Sequence, residues 1–528
     1  MRIYLLLLLF SIFLILSSCQ NTSNDSPKGA SIQSNDGPSK KIIVVMVDSM
    51  KPELVRKGIK EGRTPAIAFL SNHGKVFNDL ISPFPSMSVV IESSLITGVG
   101  PEDHHIPGLM WYNQTENRLV DYGTTTYRTF KLGTEQILED SLSNLNNLHL
   151  NPEISTIYDD ASTLGATTGS FNMLLYRGPK EHTLAIPPLV HHGLHMKDKY
   201  KTKGPDLLAF GKLIKPTAAK DQSFPDEIYN QYGLNDQYST EVIQALIKAN
   251  QQPDFLMAFL PDFDKEAHEH GPYYLDGFAK ADYHLQTILN SYSSWEEAIE
   301  ENIFIILGDH SQVKLYGKGE GTAIELEPLL EPWTIANLLD DPIMGDFIIA
   351  NNHRMAYLHK TDSNISFEEV ASQLLKDERI DQVAWRDSDY TLIQKGTTPT
   401  SLLFKKGGPW KDQYEQTWSL KGDVDVLDLS LDDSTKTVQY GNYPDGLEQI
   451  HSALKSQEGS LIITAKPGYI LKTEGAPVHY NGGEHGGLHE EDTKTVLIVT
   501  GTDQYPTSRR IRDLKPYFLS LLKQPSEN

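Results

Sequence analysis

Lys41-Ile42-Ile43-Val44-Val45-Met46-Val47-Asp48 is a continuous apolar run closed by an acid. A run so short, uninterrupted and β-branched reads as a strand buried on both faces, as in a parallel sheet. Residues 255–260, 303–307, 461–464 and 496–500 read the same way. Helical patterns such as 241–249 and 279–291 lie between them. Strands alternating with helices predict an α/β fold with a mostly parallel sheet. Ligand sites in such sheets lie beyond the carboxyl ends of the strands. Asp48, Asp264 and Asp309-His310 each follow one of these runs, so three distant segments are expected at one edge. Residues 345–450 carry short alternating pieces with Asp and Gly turns. That texture predicts a smaller cap inserted into a core formed by 41–344 and 451–528.

The 528 residues are 39% hydrophobic and 22% charged, ordinary for a globular protein. A net charge of −23 argues against a nucleic-acid polymer as partner, since that needs a basic surface. It leaves small phosphate substrates open, because bound metals reverse a local field. Arg2 and an apolar run over 3–16 precede Leu16-Ser17-Ser18-Cys19, the pattern of an export signal. The run is short for a membrane span, which takes about 20 apolar residues. Leu16-Ser17-Ser18-Cys19 resembles the bacterial lipobox, which implies a signal peptide over 1–19, lipidation of Cys19 and an extracytoplasmic, membrane-anchored protein. Cys19 is the only cysteine, so no disulfide is expected. Residues 20–40 are rich in Ser, Asn, Asp, Gly and Pro and read as a flexible tether. Its reach is roughly 25 Å.

The chemistry-bearing residues are scattered but locally patterned. Asp264-x-x-x-His268 places a carboxylate and an imidazole on one face of a turn or helix start, and zinc accepts both. Asp309-His310 follows an apolar strand and Gly308. His485 stands among Gly482, Gly483, Gly486 and Gly487, where backbone could approach a metal closely, and His489 is a rival ligand. Ser88 opens a possible helix over 89–96, ended by Thr97-Gly98. It reads equally as a helix cap or as a hydroxyl nucleophile activated by a metal, and Ser86 is a second candidate. With Asp48, these residues make three carboxylates, three imidazoles and one hydroxyl. That is enough for two zinc ions and a metal-bound nucleophile, the requirements for cleaving a phosphate ester.

Taken in order, the motifs resemble the alkaline phosphatase superfamily, in its type I phosphodiesterase/nucleotide pyrophosphatase branch. The resemblance spans about 41–330 and 455–505. The family's Val-Asp-Gly is Val47-Asp48-Ser49 here, its Asp-x-x-x-His…Gly-Pro is Asp264, His268, Gly271 and Pro272, and its Asp-His-Gly is Asp309-His310-Ser311. Its Gly-x-His-Gly is Gly483-Glu484-His485-Gly486. Its nucleophile precedes a Thr-Gly-x-x-Pro-x-x-His segment by nine residues, which selects Ser88 ahead of Thr97 to His104. The resemblance implies an alkaline-phosphatase-like α/β/α sandwich. It implies one zinc on Asp264, His268 and His485, and another on Asp48, Asp309 and His310 with Ser88. In-line attack by Ser88 would give a phospho-seryl enzyme. The ligand set suits manganese as well.

Departures shape the expected substrate. Where nucleotide pyrophosphatases place an Asn against a phosphate oxygen, this chain has Leu109, and Asn113 is a candidate substitute. Arg177 is a further candidate phosphate contact, and Trp111 and Tyr112 either line a pocket or pack in the core. No Arg lies between Ser88 and Thr97 to grip a dianion as in the phosphomonoesterase branch. The expectation is a phosphodiesterase or pyrophosphatase acting on a small phosphoester. The alternatives are a phosphomonoesterase and a non-catalytic zinc-binding surface protein.

Overall fold

A computed structural model describes residues 40–523, apart from 124–132, 195, 220–221, 337–343 and 362–363. The signal peptide, Cys19 and all of the tether but Lys40 therefore lie outside the described residues. Among the described residues no helix is long and apolar enough to cross a membrane.

Seven strands form the core sheet: β1 (Lys41–Val47), β2 (Gly74–Ile81), β3 (Thr168–Phe171), β4 (Leu207–Ala209), β5 (Phe255–Leu260), β6 (Asn302–Gly308) and β7 (Lys494–Thr500). Their order is β2-β7-β6-β1-β5-β3-β4. The opening run sits at the centre, parallel to β6 on one side and β5 on the other. Its side chains alternate between two cores. Ile43, Val45 and Val47 pack with helices Pro65–Asn72, Asp236–Lys248 and Leu275–Leu289. Ile42, Val44 and Met46 pack with Ser88–Thr97, Ile157–Thr163 and Leu514–Leu522. Burial on both faces is why the run is apolar without alternation, and the result is the expected α/β/α sandwich.

Two of the expected parallel strands behave otherwise. Residues 496–500 do join the core sheet, but β7 runs antiparallel to both β6 and β2. Residues 461–464 are not in the core sheet at all. They belong to Ser460–Ala465, an antiparallel strand of a second, nine-stranded sheet. Full burial on both faces produces the same apolar run whichever way the strand points and whichever sheet holds it.

The second sheet draws its strands from Phe347 to Ala465, so it includes one strand beyond position 450. Helix Phe367–Leu374 covers one face and helix Gly446–Ser456 the other. Charged pairs join it to the core sandwich: Arg510 to Asp445 at 3.1 Å, Arg512 to Glu448 at 3.0 Å and Lys406 to Glu102 at 2.9 Å. The buried pair Arg354–Asp492, at 2.8 Å, makes a fourth link.

Candidate active site

The three core strands deliver the motif residues as their order requires. Asp48 directly follows β1, Asp309 and His310 directly follow β6, and β5 leads into helix Asp262–His270, which carries Asp264 and His268. Ser88 is the first residue of helix Ser88–Thr97, which Gly98 ends at φ 79°, a left-handed conformation that glycine adopts freely. His485 returns from the far end of the chain, just after the short strand Gly483–Glu484.

Two ligand clusters result. In the first, one donor atom each of Asp48, Asp309 and His310 lies within 4.8 Å of the others. His310 Nε2 stands 3.5 Å from Asp48 Oδ1 and 3.4 Å from Asp309 Oδ2. Asp309 Oδ1 accepts from the amides of Ser49 (3.0 Å) and His310 (2.7 Å), while Oδ2 accepts from Ser88 Oγ (3.0 Å). Burial, reinforced by Asp309 and Asp264, pushes the Asp48 carboxyl well above its usual range.

The second cluster gathers around Asp264. Its Oδ2 lies 3.2 Å from His268 Nε2 and its Oδ1 3.8 Å from His485 Nε2. Burial pushes the Asp264 carboxyl upward, but the neighbouring imidazoles, His268 first, outweigh it and hold it well below the usual range. Burial lowers the His485 imidazole, and neighbouring His310 adds to the effect.

All three histidines are oriented alike. His268 Nδ1 lies 2.8 Å from Gly483 O, His485 Nδ1 2.6 Å from Ser86 O, and His310 Nδ1 3.2 Å from Ser311 O. A carbonyl only accepts, so each Nδ1 carries a proton and each Nε2 faces the site. This is the orientation a metal-ligating histidine takes. At His268 burial lowers the imidazole, but the Asp264 and Glu484 carboxylates outweigh it and raise it to about 10, so a cation at Nε2 would displace a proton. The buried Nε2 of His310 has no hydrogen-bond partner, and a buried group so left is costly unless something else binds it. Crowded carboxylates and ring nitrogens all aimed inward are a donor set for cations.

Several partners in the site carry no sequence motif. Ser49, standing where the family has glycine, holds φ 59° and donates its hydroxyl to Asp264 Oδ1 at 2.7 Å. Gln312 donates to the same oxygen at 2.6 Å and to Ser49 Oγ at 3.0 Å. Glu484, fully buried, accepts from Nδ1 of both His353 and His479 at 2.6 Å. The serine in place of glycine was the one visible signal. The glycines around His485 serve packing: a Cβ on Gly483 would fall 1.9 Å from Gln312 Oε1, and one on Gly482 would fall 1.9 Å from the carbonyl of His268.

Other candidates lie apart from this group. Asn113 Oδ1 accepts from the turn amides of Thr115 and Glu116. Arg177 spends its guanidinium on the carbonyls of Leu150 and Ile154. Trp111 and Tyr112 are buried and bond to Tyr122 and Asn117. Ser86 bonds to the loop at Gly486 and Gly487, and His489 caps the helix Glu490–Thr493. His104 links the segment after helix Ser88–Thr97 back to Ser94, at 3.0 Å.

An α/β/α sandwich whose strand ends gather acids, imidazoles and a serine on a helix start suits a hydrolase of phosphoric esters, with donor groups that could hold metal. The chain belongs to the type I phosphodiesterase/nucleotide pyrophosphatase family, whose model matches residues 42–488. Among solved structures it is similar to murine ectonucleotide pyrophosphatase/phosphodiesterase 5, in an inactive form with AMP, at 12% identity and TM-score 0.54. That alignment covers 93% of this chain and 96% of the other. The human counterpart aligns over the same shares at 14% identity and TM-score 0.53. Phosphonoacetate hydrolase from Sinorhizobium meliloti 1021, in complex with phosphonoacetate, aligns at 15% identity and TM-score 0.56. It covers 94% of this chain and 100% of its own. At these identities the likeness is one of fold. Comparison with curated proteins gives no match.

Proposed function

We propose that the protein hydrolyses a small phosphodiester or pyrophosphate with Ser88 as nucleophile and two zinc ions, through a phospho-seryl intermediate. The observation that carries the reading is the Ser88 hydroxyl, 3.0 Å from Asp309 Oδ2, at the start of a helix beside the group of Asp48, Asp309 and His310. Asp48, Asp309 and His310 would hold one ion and Asp264, His268 and His485 the other. When bound, such a pair lowers the pKa of a coordinated hydroxyl and stabilises charge on attacking and leaving oxygens. The chain's own residues do the positioning. Asp309 is fixed by two backbone amides through Oδ1, so Oδ2 stays aimed at Ser88. The helix start favours the phosphoryl anion. Ser88 Oγ would form the bond to phosphorus as the bond to the leaving oxygen breaks. Water attacking from the vacated side would then free the serine. The absence of any Arg between Ser88 and Thr97 favours a diester over a monoester.

The lipobox-like Leu16-Ser17-Ser18-Cys19 supports an extracytoplasmic protein held at a bacterial membrane through Cys19. The test of function is zinc-dependent hydrolysis of a chromogenic phosphodiester and its matching monoester by protein lacking residues 1–19, with manganese as the comparison ion. A diester rate well above the monoester rate is expected. A faster monoester would transfer the protein to the phosphatase reading. No turnover with two zincs bound would favour a binding protein.

A further inference from the structure

We propose that His353 is a metal ligand, a fourth protein donor to the ion that Asp264, His268 and His485 hold, with Glu484 orienting its ring. The inference rests on the two-metal reading and deepens it. His353 comes from the second sheet, on the turn between strands Phe347–Asn352 and Met355–Lys360. Its φ is 61°, a left-handed conformation that is uncommon for a non-glycine residue. Outliers of this kind collect at functional sites, held there by their surroundings. The surroundings are on hand here. The Arg354 amide donates to the carbonyl of His485 at 3.2 Å, and Asn352 bonds both ways to the backbone of Met110.

The ring is placed as a ligand would be. Its Nδ1 is 2.6 Å from Glu484 Oε2. A carboxylate on one ring nitrogen leaves the lone pair on the other, the arrangement found behind metal-bound histidines. The ring centroids of His268, His353 and His485 are 5.9, 5.4 and 5.3 Å apart. Three imidazoles on one tetrahedral zinc, at metal–nitrogen distances of about 2.0–2.1 Å, have centroids about 5 Å apart. One nitrogen of each ring lies within 4.8 Å of the other two. The pair His310–His485 differs, with its rings stacked at 3.9 Å and 14°, as expected of rings that face each other from adjacent ions.

The test titrates metal-free full-length protein with Zn²⁺ against a chromophoric chelator, and with Co²⁺ while following visible absorption. Wild type is compared with His353→Asn and His353→Gly, since both replacements accept a positive φ. Wild type should bind two equivalents. Each variant should keep one at the original affinity and weaken the other at least about ten-fold. The Co²⁺ band of the weakened site should also change, as water replaces a nitrogen donor. Two equivalents at unchanged affinity with an unchanged Co²⁺ spectrum in either folded variant would overturn the role of His353 and leave the two-metal reading standing. Fewer than two equivalents in wild type would overturn both.

Discussion

The two donor clusters adjoin through the stacked rings of His310 and His485 but are built from different parts of the molecule. Asp48, Asp309 and His310 all sit at the ends of adjacent core strands, and Ser88 joins them from a helix packed on the same sheet. Asp264 and His268 share that origin, but His485 depends on a loop that the second sheet braces through His353 and Arg354. The first cluster is rich in carboxylate and sealed; the second is rich in imidazole and held by long-range hydrogen bonds. The sandwich thus secures the Ser88 side of the site, while docking of the second sheet completes the other side.

The largest effect should come from Ser88→Ala. It should lower hydrolysis by about 10⁴-fold or more, the scale of losing a nucleophile, while both metals stay bound. If hydrolysis survived at a comparable rate, the nucleophile would lie elsewhere. Next comes Arg354→Met. It leaves Asp492 buried without its partner, a change that costs about 3–5 kcal/mol. Chemical denaturation would measure the loss, and metal titration should show the Asp264 cluster emptied before the Asp48 cluster. Equal loss from both clusters would erase the contrast drawn above.

Ser49→Gly sharpens it further. The left-handed residue is relieved of strain on the order of 1 kcal/mol or more, yet Asp264 loses a 2.7 Å hydrogen bond. The thermal midpoint should hold or rise while one metal weakens by about ten-fold. A lower midpoint with unchanged metal affinity would show that Ser49 serves the fold alone. The smallest effect concerns docking and pH. Burial, opposed by Arg510 and Arg512, leaves the Asp445 carboxyl pushed up to about 6 from 3.8. A raised carboxyl binds its proton more tightly in the folded state, so stability should fall as pH rises from about 4 through 6. Thermal melts of Asp445→Asn across that window should show a flatter profile than wild type.

The convergence of the candidate ligands was legible because Asp48 and Asp309-His310 directly follow apolar strands, at the edge where such sheets carry their sites. Asp48, Asp264 and Asp309-His310 needed no tertiary information to be placed at one edge. Strand direction was not legible for 496–500, nor sheet membership for 461–464, because burial writes the same letters for each. Ser49, Gln312 and Glu484 act through hydrogen bonds to Asp264, to each other and to His353 and His479, which leave no periodic trace in the sequence. Asn113 and Arg177 were plausible by type, yet nearby backbone groups claim them.

The placement of His485 also orders events in time. Synthesis delivers Asp48, Ser88, Asp264 and Asp309-His310 first, then the whole second sheet, and only then the loop with His485. Helix Leu514–Leu522, against which Ser88–Thr97 packs, and β7, which lies between β2 and β6, also come last. Both halves of the site must therefore wait for almost the entire polypeptide. An incomplete chain should therefore be chemically silent, and hydrolysis begins only once the protein is finished.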